Sequence, residues 1–70
     1  MELYVLLRKD LQFCGNFFSF QGAKREAEVL MGMQLNEEEQ PGDFIPTWHL
    51  KSGTGASDFH YKVQRHAVRD

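Results

Sequence analysis

Seventy residues suffice for one domain and one core, and eight Lys and Arg against ten Asp and Glu leave a net charge of -2, which gives no global pull toward nucleic acid or anionic lipid. No apolar run approaches the roughly 18 residues of a membrane span, and the start of the chain lacks the basic, apolar and small-residue pattern of a signal peptide, so a cytoplasmic protein is expected. The single cysteine, Cys14, cannot form an internal disulfide.

Glu2 to Arg8 alternates as a strand, with Leu3, Val5 and Leu7 on one face and Tyr4 and Leu6 on the other. Both faces are apolar. A small antiparallel sheet covered by one helix normally shows water a polar second face, so the spare apolar face points to a protein partner or a second copy of the chain. Lys9 to Gln12, with Asp10, reads as the connection to a second strand, Phe13 to Phe20, where Gly15 and Asn16 mark a bulge or bend. Phe18 and Phe20 share one of its faces and Phe17 takes the other.

From Gly22 the spacing predicts a helix. Ala23, Ala27, Leu30, Met31 and Gln34 form one stripe, the small alanines permitting close approach to a sheet. Val29 and Met33 form a narrower apolar line beside it, while Lys24, Arg25 and Glu28 fall away toward water. Gly32 ends the helix or weakens its last turn. Asn36 to Asp43, with Glu37, Glu38, Glu39 and Asp43 beside Gln40, Pro41 and Gly42, has the composition of a solvated acidic loop.

Residues 47–68 read as a C-terminal hairpin, with Pro46 confining its first strand to an edge or to a strand start. With Ser52 to Ser57 as the loop, Lys51 opposes Asp58, Leu50 opposes Phe59, His49 opposes His60 and Trp48 opposes Tyr61. These are cross-strand pairs of the kind that stabilise antiparallel sheets by roughly 0.2 to 1 kcal/mol each. Trp48, Leu50, Phe59, Tyr61 and Val63 then line the core face, under the helix with Leu3, Val5 and Leu7. His49, Lys51, His60, Lys62, Gln64 and His66 line the other. The expected architecture is one α+β domain over residues 1–70, a mainly antiparallel sheet of order ββαββ with the helix on one face.

None of the reactive residues assembles a catalytic, cofactor or metal pattern. Cys14 between Phe13 and Gly15 reads as a small core residue rather than a thiolate. Glu37, Glu38 and Glu39 in an exposed loop lack the burial that raises a general acid's pKa. His49 and His60 supply two ligands where zinc wants three or four, and His66 lies too far along the strand to complete the set. The loop bearing Gly53 and Gly55 has the glycines of an anion nest, yet it leads into a strand rather than into the helix that phosphate loops require.

Two binding readings remain. Tyr4, Leu6 and Phe17 on the uncovered face, with Val29 and Met33 along the helix flank, would form a dimer seam or dock on another protein, the aromatic anchors dominating affinity. Alternatively, the basic hairpin with His49, Lys51, His60, Lys62 and Arg65 would bind single-stranded nucleic acid or a nucleotide, mixing cations with nearby rings.

The run Leu3-Tyr4-Val5-Leu6-Leu7, then Phe17-Phe18-Ser19-Phe20, then Ala23-Lys24-Arg25-Glu26-Ala27-Glu28, resembles the strand, strand and charged-alanine helix opening of many short proteins encoded by phages and prophages. Trp48-His49-Leu50 and Tyr61-Lys62-Val63 are similar to their closing strands. The resemblance implies an accessory factor that binds and blocks host machinery, as anti-CRISPR and other anti-defence inhibitors do, with a host protein or complex as partner, no cofactor and no chemistry. It carries over no functional residue.

Overall fold

The sheet is organised around β1 (Glu2–Arg8), whose two neighbours are β2 (Phe13–Phe17) and β5 (Tyr61–Ala67). The computed structural model describes residues 1–53 and 58–68. Helix α1 (Phe20–Met31) follows β2, and β3 (Asn36–Glu39) and β4 (Thr47–Lys51) complete a five-stranded antiparallel sheet in the order β2-β1-β5-β4-β3. The class is α+β, as expected, but the element order is ββαβββ. The additional strand is β3, cut from the first half of the segment read as an acidic loop.

Glutamate is a poor strand former, so nothing local announced β3. It forms because it lies at the sheet edge, where neighbouring cations offset its acids. Glu37 meets Lys24 at 3.3 Å, and Glu38 meets Lys51 at 3.0 Å. Short charged edge strands also resist pairing with other chains.

The β1–β2 connection is a tight one. The Leu11 N–H donates to the Arg8 carbonyl, and the Arg8 N–H donates to the Gln12 carbonyl, with Leu11 at φ 68°. This is the three-residue hairpin loop whose last position takes a left-handed conformation, usually as glycine. Further along β2, Gly15 lies opposite Leu6 and Phe13 opposite Leu7, so Cys14 is the extra residue of a bulge. A Cβ on Gly15 would come within 3.1 Å of the Phe17 ring, which explains the glycine.

The helix starts two residues earlier than Gly22. Ser19 is its N-cap, its hydroxyl oxygen accepting the Gly22 N–H at 3.0 Å. Gly32 ends it in the left-handed conformation, φ 69°, its N–H donating to the Glu28 and Val29 carbonyls. Ala23 and Ala27 are fully buried against the sheet, while Phe20 and Met31 pack at the two ends of the same stripe. Leu30 does not join them and is exposed. Three residues after Ala27 a side chain comes round about 60° off the contact line, and Met31 takes the place in the last turn.

The helix covers the opposite face of β1 from the one expected. Leu6 is fully buried, directly across from Val63, and Tyr4 pairs with Phe17 beneath the helix. With Leu35, Leu50 and Tyr61, and with an aromatic cluster of Tyr4, Phe20 and Trp48 whose ring centroids lie 5.1–6.4 Å apart, these residues make the core. The reason is pairing parity. β5 is apolar at Tyr61 and Val63 and polar at Lys62, Gln64 and His66, and the β1–β5 register aligns its apolar set with Leu6, not with Leu3, Val5 and Leu7. A one-residue offset in register inverts every side chain of a strand.

The C-terminal hairpin forms with a register two residues from the expected one. Leu50 opposes Tyr61, His49 opposes Lys62 and Trp48 opposes Val63. A shift of two keeps each β4 and β5 residue on its anticipated face, but it releases Phe59 from the core and separates His49 from His60. The Ser52–Ser57 loop was expected to span this turn, and its residues 54–57 lie outside the described residues. Pro46 stands immediately before β4, at a strand start as its ring requires, and its carbonyl accepts the Arg65 N–H.

Candidate interaction surface

The face of the sheet away from the helix can be built row by row from the strand register. Val5 is flanked by Asn16 on β2 and Gln64 on β5; Leu7 is flanked by Phe13 and Lys62; Leu3 pairs with His66. Beyond β5 the Leu7 row continues into His49 and Glu38, and the Val5 row ends at buried Thr47. The surface therefore changes across the sheet from aromatic and aliphatic at β2 and β1 to cationic at β5 and β4, and then to acidic at β3. Leu3, Val5 and Leu7 are partly exposed, and Phe13 is 59% exposed.

At the cationic end, His49 stacks on Phe59, with ring centroids 3.9 Å apart and planes 20° from parallel. Burial is the main influence on this imidazole and holds its pKa below the ordinary value. Lys51 and then Lys62 push the same way, against Asp43 and Glu38. Glu38 accepts hydrogen bonds from Lys51 and Gln40, which hold its carboxyl below the usual range.

Of the residues expected to form an apolar docking face, Tyr4, Leu6 and Phe17 lie under the helix, Leu6 entirely out of reach of a partner. Val29 and Met33 are exposed as anticipated, but on the helical side of the molecule, so the five do not form one surface. The spare face is made instead by Leu3, Val5, Leu7 and Phe13. The signal that identifies it was present in the strict alternation of Tyr61 to His66, since the polar half of β5 must lie beside the uncovered half of β1.

The set expected for nucleic acid divides as well. His49, Lys51 and Lys62 share the open face, though Lys51 is neutralised by Glu38. His60 lies at the hairpin end with its Nε2 2.9 Å from the Ser52 hydroxyl. Arg65 projects on the helical side, where its Nε meets Glu2 at 3.1 Å.

A separate open groove of about 560 Å³ is lined by Arg8, Lys9, Asp10, Met31, His60 and Tyr61. Its cations are already matched, Arg8 with Asp10 at 3.2 Å and Lys9 with Asp58 at 3.5 Å, which leaves little surplus charge to hold an anion. The Gly53 carbonyl accepts a hydrogen bond from the Asn36 side-chain amide at 3.0 Å, and Gly55, the other glycine of that loop, lies outside the described residues. Cys14 is half-buried against the core. Among the described residues no cluster of three or more His, Cys, Asp or Glu is placed to hold a metal, and no helix is long and apolar enough to cross a membrane.

Sequence reasoning also missed Phe44, which projects fully exposed from the β3–β4 connection, one residue beyond the segment read as acidic loop. Compared with known proteins, the chain matches no family model, no curated protein and no solved structure.

Proposed function

We propose that this chain is a non-catalytic protein-binding module that docks through the open face of its sheet. The observation that carries the reading is that β1 is apolar on both faces while the helix covers only the Tyr4 and Leu6 side. Leu3, Val5 and Leu7 form an aliphatic stripe at the middle of the open face, Phe13 stands beside them, and polar residues rim them. Contact surfaces have this composition, a desolvated apolar centre with aromatic anchors inside a polar margin. The resemblance of the strand and helix pattern to short phage-encoded accessory proteins supports an inhibitor that occupies a surface of a host protein or defence complex.

Substituting Val5→Lys tests the reading, because Val5 is at the centre of the stripe and outside the core. The variant is expected to keep the wild-type circular dichroism spectrum and to lose the protein partners that the wild type retains at high salt. If a folded Val5→Lys protein retains them all, the open face is not the docking surface.

One feature favours a second reading. The His49–Phe59 stack beside Lys62 places a flat ring pair next to a cation, the combination on which single-stranded nucleic acid and nucleotides stack. Binding of this kind would weaken steeply with salt and would be reduced by Lys62→Ala.

A further inference from the structure

We propose that the open face is occupied by a second copy of this chain, related to the first by a two-fold axis running along β1. This rests on the reading of the open face as a docking surface and gives that face a second copy of the chain, which any host target would have to displace. The argument comes from what such an axis superposes. It sets β1 across from β1 of the partner and β2 across from the partner's β5, because these are the two neighbours of β1.

The register then fixes the contacts. In the Leu7 row Phe13 lies over Lys62 of the other protomer, and in the Val5 row Asn16 lies over Gln64. Leu3, Val5 and Leu7 meet their own images. Apolar groups meet apolar groups, an amide meets an amide, and an ammonium meets the face of an exposed ring, a favourable cation–π arrangement. Each member is free for the contact. Among the described residues Lys62 makes no ion pair and the Asn16 side chain no hydrogen bond, while the Gln64 amide holds only the His66 ring through its oxygen, at 3.3 Å.

Of the other axes parallel to the strands, one along β5 would set Lys62 against its own image, and one along β4 would leave the aliphatic stripe bare. The β1 axis opposes no like charges and covers the stripe. Packed sheets sit about 10 Å apart with strands within about 30° of each other, so Val5, in the middle of β1, stays nearest the axis. The patch spans only three strands, roughly 15 × 23 Å at the usual strand spacing and rise, or about 700 Å² over both partners, which is below the range of stable interfaces and makes the dimer a weak, transient one that forms only at high concentration.

Light scattering on the intact chain across a concentration series is expected to rise from one chain mass of 8.1 kDa toward two. Val5→Lys should weaken dimerisation by more than tenfold and Lys62→Glu by roughly tenfold, the latter through the two symmetry-related Phe13 contacts. In a Cys14→Ser background, Val5→Cys should be cross-linked to itself by a short bis-maleimide that spans the gap of about 10 Å between packed sheets, whereas Arg25→Cys on the outer helix surface should not. A wild-type protein that stays monomeric throughout, or a dimer indifferent to both Val5 substitutions, overturns the proposal. A monomer whose other protein contacts are still abolished by Val5→Lys would sink self-pairing and leave the docking reading standing; a monomer with no Val5-dependent contact would sink both.

Discussion

His49 lies flat against Phe59 at 3.9 Å, on the face of the sheet opposite the helix. The contact exists because the β4–β5 register sets Tyr61, not Phe59, across from Leu50. It also ties stability to pH. The His49 imidazole, depressed by burial and then by Lys51, resists protonation in the folded protein. On acidification the unfolded chain therefore takes up that proton first, and unfolding gains. The stability associated with His49 is fully present above about 6.5, the unfolded value, and is lost as pH descends through the lower folded value. Denaturant midpoints measured from neutral pH downward should fall across this window, and His49→Gln should flatten the fall. A second decline should follow below the ordinary glutamate range, where Glu38, held down by Lys51 and Gln40, becomes protonated.

Adjacent residues of β1 should respond in opposite ways to the same change. Leu6→Lys places an ammonium in the sealed core opposite Val63 and should abolish folding, and Leu6→Ala should cost about 2–5 kcal/mol. Val5→Lys reaches water and should cost only about 1 kcal/mol. Chemical denaturation of the set checks the assignment of faces, and equal costs at the two positions would refute it.

Glu28 ties the end of the helix to the start of β3. Its Oε2 accepts the N–H of buried Leu35 at 2.9 Å. Glu28→Ala leaves that donor unpaired and should lower stability by about 1–3 kcal/mol, while Glu28→Gln, whose amide oxygen still accepts, should recover most of the loss.

Leu11 holds a left-handed backbone conformation that a branched side chain tolerates poorly, and its side chain is exposed. Leu11→Gly should raise the unfolding free energy by about 1 kcal/mol, read as a higher denaturation midpoint at unchanged slope. A fall would mean that the side chain makes a stabilising contact.

Much of the architecture was legible in local pattern. The strand at Glu2 to Arg8, the hairpin turn around Asp10, the helix stop at Gly32 and the two C-terminal strands all carry their own signals of alternation, turn chemistry and capping. What failed was non-local. Which face of β1 is covered depends on how Leu6 and Val63 align across 57 residues of chain, and no local preference reports that. The β4–β5 shift, which moved Phe59 from core to open surface, is likewise set by the pairing of Leu50 with Tyr61. β3 was illegible because its glutamates form a strand only where Lys24 and Lys51 are already in place. The candidate surface inherited the error in parity. The inference that β1 has a face to spare was drawn from the correct residues and assigned to the wrong ones.

The central position of β1 also governs how the protein is made. Its second neighbour, β5, ends 50 residues after β2 does, which at about 5–20 residues per second is a delay of roughly 3–10 s on the ribosome. Through that interval β1 has only β2 beside it, with an unpaired backbone edge and no finished core beneath Leu6. The growing chain is then a better substrate for chaperones, and a greater aggregation hazard, than the folded domain it becomes.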